Sequence, residues 1–285
     1  MPSIDSKVIA KNATQSFVLP DMCIRIRNML DDHHSTMADI GNVLSLDPSL
    51  SSKLLKLANS PLFRFESQIA TIGKAVNLIG GEALYNLMMA ETASSAFEHF
   101  NSDAIDLKKF WRHSIYCSLV AKHLAKIARI RGSERFFLLG LLHNMGELIV
   151  AVQAPQEAIK CNQYDKRTLP WKLQYKVLGF HYTQCSAELL SQWRLPEQLY
   201  YPIFHLHDEK KALKSKEIGI VYTAFRAAIA MTNGGLYSVS QLVSPKVLKS
   251  LKLDQNDLAD ALKFASMEAD NMLAIMIPRL SYERR

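Results

Sequence analysis

Apolar residues in this chain recur at three- and four-residue intervals, and no stretch sustains strand-like alternation between turn signals. That feature most narrows the fold. Helical spacing puts apolar side chains on one face of a helix, whereas a half-buried strand needs a period of two. Met22, Ile26, Met29 and Leu30 mark one helix behind Pro20. Leu50, Leu54, Leu55, Leu57 and Ala58 mark another, opened by Asp47-Pro48, with Ser35 expected to cap the helix before it. The class is therefore all-α. At 285 residues and 48% hydrophobic content, the chain can bury its core without a staple.

Several boundaries follow. Residues 1–16 read as a polar lead-in. Gly80-Gly81 joins two helices. A lobe boundary is expected near residues 100–104. "LKKFWRHSIYCSLVAKHLAKIARIRG" reads as a long amphipathic helix stopped by Gly132. "SERFFLLGLLHNMGELIVAVQ" reads as the most apolar helix and so as the central one. Residues 155–170 read as turns between Pro155 and Pro170. Gly234-Gly235 ends a further apolar helix, and the tail reads as one or two amphipathic helices.

The formal charge is +7, a mild excess that permits contact with nucleic acid or anionic lipid without implying it. The densest basic cluster, "KKALKSKE", reads as a solvated face. The four cysteines, Cys23, Cys117, Cys161 and Cys185, form no CxxC pair. The N-terminus lacks a signal-peptide core, and no uninterrupted apolar run is long enough for a membrane span. Reduced thiols in a cytoplasmic protein are expected.

Chemistry-bearing motifs are few. There is no GxGxxG, P-loop or GxSxG. His113 with Cys117 and His181 with Cys185 are spaced i, i+4, the spacing from which a His₂Cys₂ zinc site could be built if both pairs converged. Coincidence is the simpler reading. His205 and His207 could converge only on extended chain, and His33-His34 reads as an exposed turn.

Ordered blocks carry a more specific signal: "LPDMCIRIRNML", "ADIGNVLSLDPSLSSKLLKLANSPLF", "IATIGKAVNLIGGEALYNLMMA", "FWRHSIYCSLVAKHLA", "FLLGLLHNMGELIV", "VLGFHYTQCSAELLSQWRLPEQL" and "IFHLHD". Together, over roughly residues 17–230, the chain resembles the HDOD family of bacterial signalling domains. The resemblance implies a two-lobed all-α fold with a degenerate lobe related to HD phosphohydrolases. It implies a lead-in over 1–16, an N-terminal helical lobe over 17–103, an HD-like lobe over 104–230 and a C-terminal helical extension over 231–285.

In active HD enzymes a first His, a His-Asp pair and a later Asp hold the metal. The first matches His113. The pair matches His143 and Asn144, so the Asp is lost. The later Asp aligns with Phe225. Of the auxiliary positions, one falls on Tyr182 with His181 shifted by one, and another on His207. The resemblance therefore implies a vestigial pocket of His113, His143, Asn144, His181, Tyr182, His207 and Phe225, with no metal, no cofactor and no catalytic residue expected. Phe225 is expected to fill part of the cleft.

The leading expectation is a non-catalytic regulatory module. It would act through a signalling partner or by sensing a small molecule or nucleotide in the old cleft. Candidate contact faces carry Arg25, Arg27, Lys53 and Lys56, or the helices after residue 240. The alternative is a metal-dependent phosphohydrolase with an unusual ligand set, acting on a nucleotide or cyclic dinucleotide. Binding to nucleic acid is suggested by the basic charge alone, and membrane insertion is not expected.

Overall fold

The computed structural model describes residues 5–14, 20–63, 65, 67–96 and 102–278. Regular structure among them is entirely helical. In chain order the helices are α1 (Ser6–Ala13), α2 (Asp21–Asp31), α3 (Met37–Ser45), α4 (Pro48–Ala58), α5 (Ile72–Ile79), α6 (Gly81–Ala96), α7 (Leu107–Ile127), α8 (Arg135–Leu142) and α9 (Met145–Gln153). There follow α10 (Pro155–Cys161), α11 (Pro170–Leu178), α12 (Tyr182–Gln192), α13 (Glu197–Phe204), α14 (Glu209–Ala212), α15 (Lys216–Thr232), α16 (Val239–Leu242), α17 (Pro245–Ser250) and α18 (Gln255–Met276). The chain divides into two units. The larger comprises Met1–Val18 and Asn101–Ala269, the smaller Leu19–Phe100 and Asp270–Arg285. The expected lobe boundary near 100–104 begins on residues outside those described, as do parts of the lead-in and the last residues of the C-terminal extension.

The smaller unit owes its turns to side-chain caps. Thr36, not Ser35, caps α3 in a reciprocal capping box with Asp39. The Asp47 carboxylate accepts from the Leu50 amide, and Pro48 follows at the first helical position, where no amide hydrogen is needed. Ile26, Ile40, Leu44, Leu54 and Leu57 are buried, as the helical periodicity of α2–α4 requires.

In the larger unit α7 packs against both α8 and α15. It stops at Ile127, five residues before Gly132, because the chain turns left-handed at Arg129 (φ 54°). The apolar run expected as one central helix is two, α8 and α9, interrupted at His143 and Asn144. This stretch, Arg135–Gln153, is long and apolar enough to cross a membrane, but 83% of that window is buried inside the protein. Core burial accounts for its composition.

Two stretches expected to be irregular are helical. Within residues 155–170, Pro155 opens α10 rather than a turn. In the lead-in, Asp5 caps α1, which buries Ile9, Ala10 and Ala13 and packs on α12 and α9. At the other end, α16 and α17 pack on α15, and residues from 231 to 269 group with the larger unit.

Candidate functional site

Two glycines in the larger unit set the position of the α8–α9 break. A Cβ on Gly140 would lie 2.4 Å from the Ser118 Cα of α7. A Cβ on Gly146 would lie 2.1 Å from the Tyr182 carbonyl oxygen of α12. Only a residue without a side chain permits both backbone approaches. The turn between them is thereby driven into the interior with His143 and Asn144 on it.

His143 is fully buried and His113, on α7, is 6% exposed. Their Nε2 atoms lie 3.1 Å apart. His143 Nδ1 lies 2.7 Å from the Gly140 carbonyl oxygen. A carbonyl only accepts, so Nδ1 carries the hydrogen and Nε2 of the neutral ring is a lone pair. That lone pair faces His113 Nε2, and the Ala228 backbone carbonyl competes with it for the hydrogen of the His113 ring. Burial pushes His143 down to about 4. Burial first, then the neighbouring His143 and Lys109, holds His113 well below the ordinary imidazole value. Both rings are therefore neutral at pH 7. On its far side His113 Nδ1 is 3.5 Å from Thr232 Oγ1.

Phe225 on α15 stands at the centre. Its ring centroid is 5.4 Å from that of His113, 5.5 Å from His143 and 5.0 Å from His207, each edge-to-face. It splits the expected pocket in two. Beyond it His207 stacks on Trp171 at 5.7 Å and packs 4.4 Å from His181. Both ring nitrogens of His207 are buried without a hydrogen-bond partner among the described residues. Burial, aided by His181 and Arg226, holds its pKa well below the ordinary value. His181 Nδ1 donates to the Trp171 carbonyl at 3.0 Å. Arg226, 5% exposed, covers the Trp171 ring at 4.9 Å.

On the near side of Phe225 a cavity of about 380 Å³ remains, with His113, Asn144, Tyr182 and Phe225 in its wall. Phe225 thus fills the cleft only in part. The wall also holds Glu147, a carboxylate that the sequence reading passed over. Its Oε2 accepts from the Asn144 side-chain amide. Burial pushes Glu147 up to about 7, against the lowering effects of the Asn144 bond and of Lys109. The signal was available: Glu147 is three residues beyond Asn144, on the same helical face. Asp103, Asp106 and Lys109 also line the cavity as exposed residues. Lys109 Nζ donates to the Tyr164 hydroxyl at 2.6 Å, and that hydroxyl donates to Asn233 Oδ1 at 2.7 Å.

Other candidate groupings are not assembled. Among the described residues no three His, Cys, Asp or Glu side chains are arranged to hold an ion, so the two His–Cys pairs do not build a tetrahedral site. Cys117 and Cys185 are buried core thiols, and burial raises both; Cys185 is pushed up to about 12. His205 turns away from His207 towards Tyr201 and Lys211. In the smaller unit, two of the four cations expected on a contact face are engaged. Arg27 pairs with Asp31 at 3.0 Å, and Lys53 pairs at 2.5 Å with Glu91, which is 2% exposed. Arg25 and Lys56 are exposed.

Comparison with known proteins follows the same lines. An uncharacterized protein of Treponema pallidum (strain Nichols) is 27% identical over 209 residues, 69% of this chain. The chain spans 40% of that relative's length. A solved HDOD domain protein of unknown function from Geobacter sulfurreducens superposes with a TM-score of 0.72 at 19% identity, covering 96% of this chain and 97% of that one. A Shewanella amazonensis SB2B protein, provisionally named a phosphohydrolase, gives 0.69 at 22% identity, with 96% and 98% covered. A Marinobacter aquaeolei VT8 protein, provisionally named a signal transduction protein, gives 0.68 at 18%, with 96% and 67% covered. At these identities the structural likeness speaks for the fold. The family model for the HDOD domain matches residues 17–209, and the chain belongs to the HDOD family.

Proposed function

We propose that this protein is a non-catalytic regulatory module of a cytoplasmic signalling pathway, which reads a small ligand in a vestigial HD cleft or works through protein contacts. The observation that carries the reading is the bond between His113 Nε2 and His143 Nε2. The two imidazoles that would hold a metal in an HD enzyme satisfy each other instead. Where that enzyme class has two aspartates, this chain has the Asn144 amide and the Phe225 ring. A hard dication beside phosphate needs anionic oxygens to retain it and to lower the pKa of its bound water. Glu147 shares the cavity wall with His113, but its carboxylate accepts from the Asn144 amide, and burial pushes it up to about 7. These residues do not fit a catalytic metal centre, and no hydrolytic step is derived for them. The solved relative provisionally named a signal transduction protein is consistent with the regulatory reading.

Glu147 is also the observation that favours a second reading, a phosphohydrolase of unusual ligand set. Elemental analysis of untagged protein purified without chelator separates the two. The regulatory reading expects substoichiometric transition metal and no metal-dependent turnover of phosphodiesters or cyclic dinucleotides. A stoichiometric metal lost on His113→Ala, with turnover lost alongside it, would establish the enzyme.

A further inference from the structure

A second cluster lies on the far side of Phe225, and its charge is unbalanced. Arg226 is 5% exposed, and burial lowers its pKa to about 10, so it is charged at pH 7. Buried charges are ordinarily paired with a counter-charge. None of the ion pairs among the described residues includes Arg226. Its Nη1 donates to the Tyr222 carbonyl at 3.2 Å, and a side-chain hydrogen bond joins it to Tyr222. Glu209 acts on it from farther off. That carboxylate is bonded to the Tyr222 side chain and accepts from Ser244 Oγ at 2.6 Å. A guanidinium carries five N–H donors, so part of its fork is left open.

His207 is the independent observation. Both of its ring nitrogens are buried without a hydrogen-bond partner among the described residues. His181, Arg226 and His143 act on it by charge alone. An orphaned buried ring calls for a group that completes it. His207 and Arg226 meet at one surface. The guanidinium carbon lies 4.9 Å from the Trp171 ring centroid, and His207 stacks on Trp171 at 5.7 Å. His207 is 4.4 Å from His181, which packs 5.4 Å from Tyr175. Tyr175 is 59% exposed and both histidines are half-buried, so the cluster reaches solvent along this edge. None of these residues lines the cavity that holds Glu147.

Charge decides the ligand. Burial holds His181 and His207 below the ordinary imidazole value, so both are neutral at pH 7. Arg226 alone supplies positive charge. A monoanion balances it, whereas a phosphate dianion would leave a negative charge uncompensated in a buried setting. A carboxylate also presents two coplanar oxygens that match the guanidinium fork. The Trp171 and Tyr222 rings suit an apolar remainder.

We propose that Arg226 and His207 bind the carboxylate of a small organic acid. The open edge of the Arg226 fork donates to its oxygens, and the one N–H of the neutral His207 ring donates to one of them. The proposal rests on the regulatory reading and names the class of signal that the domain takes.

The test is an NMR titration of the full chain at constant ionic strength. Acetate, benzoate and succinate are the probes, with inorganic phosphate and AMP as competing anions and chloride as background. At least one carboxylate is expected to saturate at one equivalent, with shifts at Arg226 Nε and the His207 ring nitrogens. Arg226→Gln is expected to weaken it by roughly tenfold or more. His207→Phe, which keeps a ring on Trp171, is expected to weaken it several-fold and carries the test if Arg226→Gln does not fold. Lys56→Ala, an exposed cation of the smaller unit, is expected to change nothing. Binding of no carboxylate overturns the proposal, since water then completes both groups. Phosphate or AMP bound more tightly than every carboxylate overturns it, as does an affinity unchanged in His207→Phe and in folded Arg226→Gln. Each of these failures leaves the regulatory reading standing, whereas metal-dependent turnover of phosphodiesters removes that reading whatever the carboxylates do.

Discussion

The Nε2 atoms of His113 and His143 lie 3.1 Å apart, and the Gly140 carbonyl 2.7 Å from His143 Nδ1 leaves His143 Nε2 a lone pair in the neutral ring. The arrangement fixes hydrogen on Nδ1 of His143, while His143 Nε2 and the Ala228 carbonyl compete for the hydrogen of His113. Nitrogen-15 NMR of the imidazoles checks this directly. His143 should stay neutral down to about pH 5, and His113 should titrate well below the ordinary imidazole range. A ring pair that titrates together near pH 6.5 would mean that the pocket is wet and the bond broken.

Glu147 gives a stability profile with a definite sign. Its folded pKa, about 7, lies above the ordinary value of 4.5. Its contribution is therefore fully present below pH 4.5 and is lost as pH rises through 7. The depressed histidines act oppositely: their contribution is present above pH 6.5 and is lost as pH falls. Glu147→Gln removes the first effect and leaves the second. The variant should gain roughly 1–3 kcal/mol relative to the parent between pH 5 and 8. Urea titrations of both proteins at those two pH values measure it. An equal difference at both pH values would place the Glu147 carboxylate in water.

On the proposed reading, placing one carboxylate at residue 144 should not create a metal site. In Asn144→Asp a second carboxyl replaces the amide that now donates to Glu147. The predicted result is a loss of about 1–3 kcal/mol at pH 8, much smaller at pH 5 where one carboxyl holds a proton. Phe225, which the proposed correspondence sets at the position of the second Asp, still packs against His113, His143 and His207. Stoichiometric metal should appear only when Phe225→Asp is added to Asn144→Asp, if that double variant folds. Metal bound at one equivalent by Asn144→Asp alone would contradict this account of Phe225.

The residues read correctly from sequence are those whose signal is local. Pro48 after Asp47, the Gly80-Gly81 joint and the apolar faces of α2 and α4 each follow from a spacing or a backbone constraint. The helical class follows in the same way. The failures come from tertiary effects. The run from Arg135 to Gln153 has the periodicity of one helix. It breaks because Gly140 and Gly146 hold it against two different neighbours, and a single sequence does not reveal which glycines do this. Lys53 read as an open cation because its partner Glu91 is brought to it only by packing, whereas Asp31, four residues beyond Arg27 on the same helix, was legible and passed over. In the site itself, matching a family pattern named His113, His143, Asn144 and Phe225, but fixed attention on the positions that the pattern gives to carboxylates. Glu147 lies outside that pattern, so it was passed over although it stands three residues beyond Asn144.

The two glycines give the sharpest test of how the site is held. Gly146→Ala puts a Cβ 2.1 Å from the Tyr182 carbonyl oxygen, and Gly140→Ala puts one 2.4 Å from the Ser118 Cα. Both obstacles are backbone, so the helices must separate, and overpacking of this kind costs about 1–3 kcal/mol or more. Gly73→Ala supplies the control. It lies in α5 at negative φ, and its Cβ would meet nothing within 4 Å. There the lower chain entropy of alanine should stabilise the protein by roughly 0.4–1 kcal/mol. Gly146→Ala should also displace Glu147 and Asn144, which flank it on the same turn, and so shift the Glu147 titration while Gly73→Ala leaves it alone. Equal melting temperatures for Gly146→Ala and Gly73→Ala would show that α9 does not approach α12 as closely as the site requires.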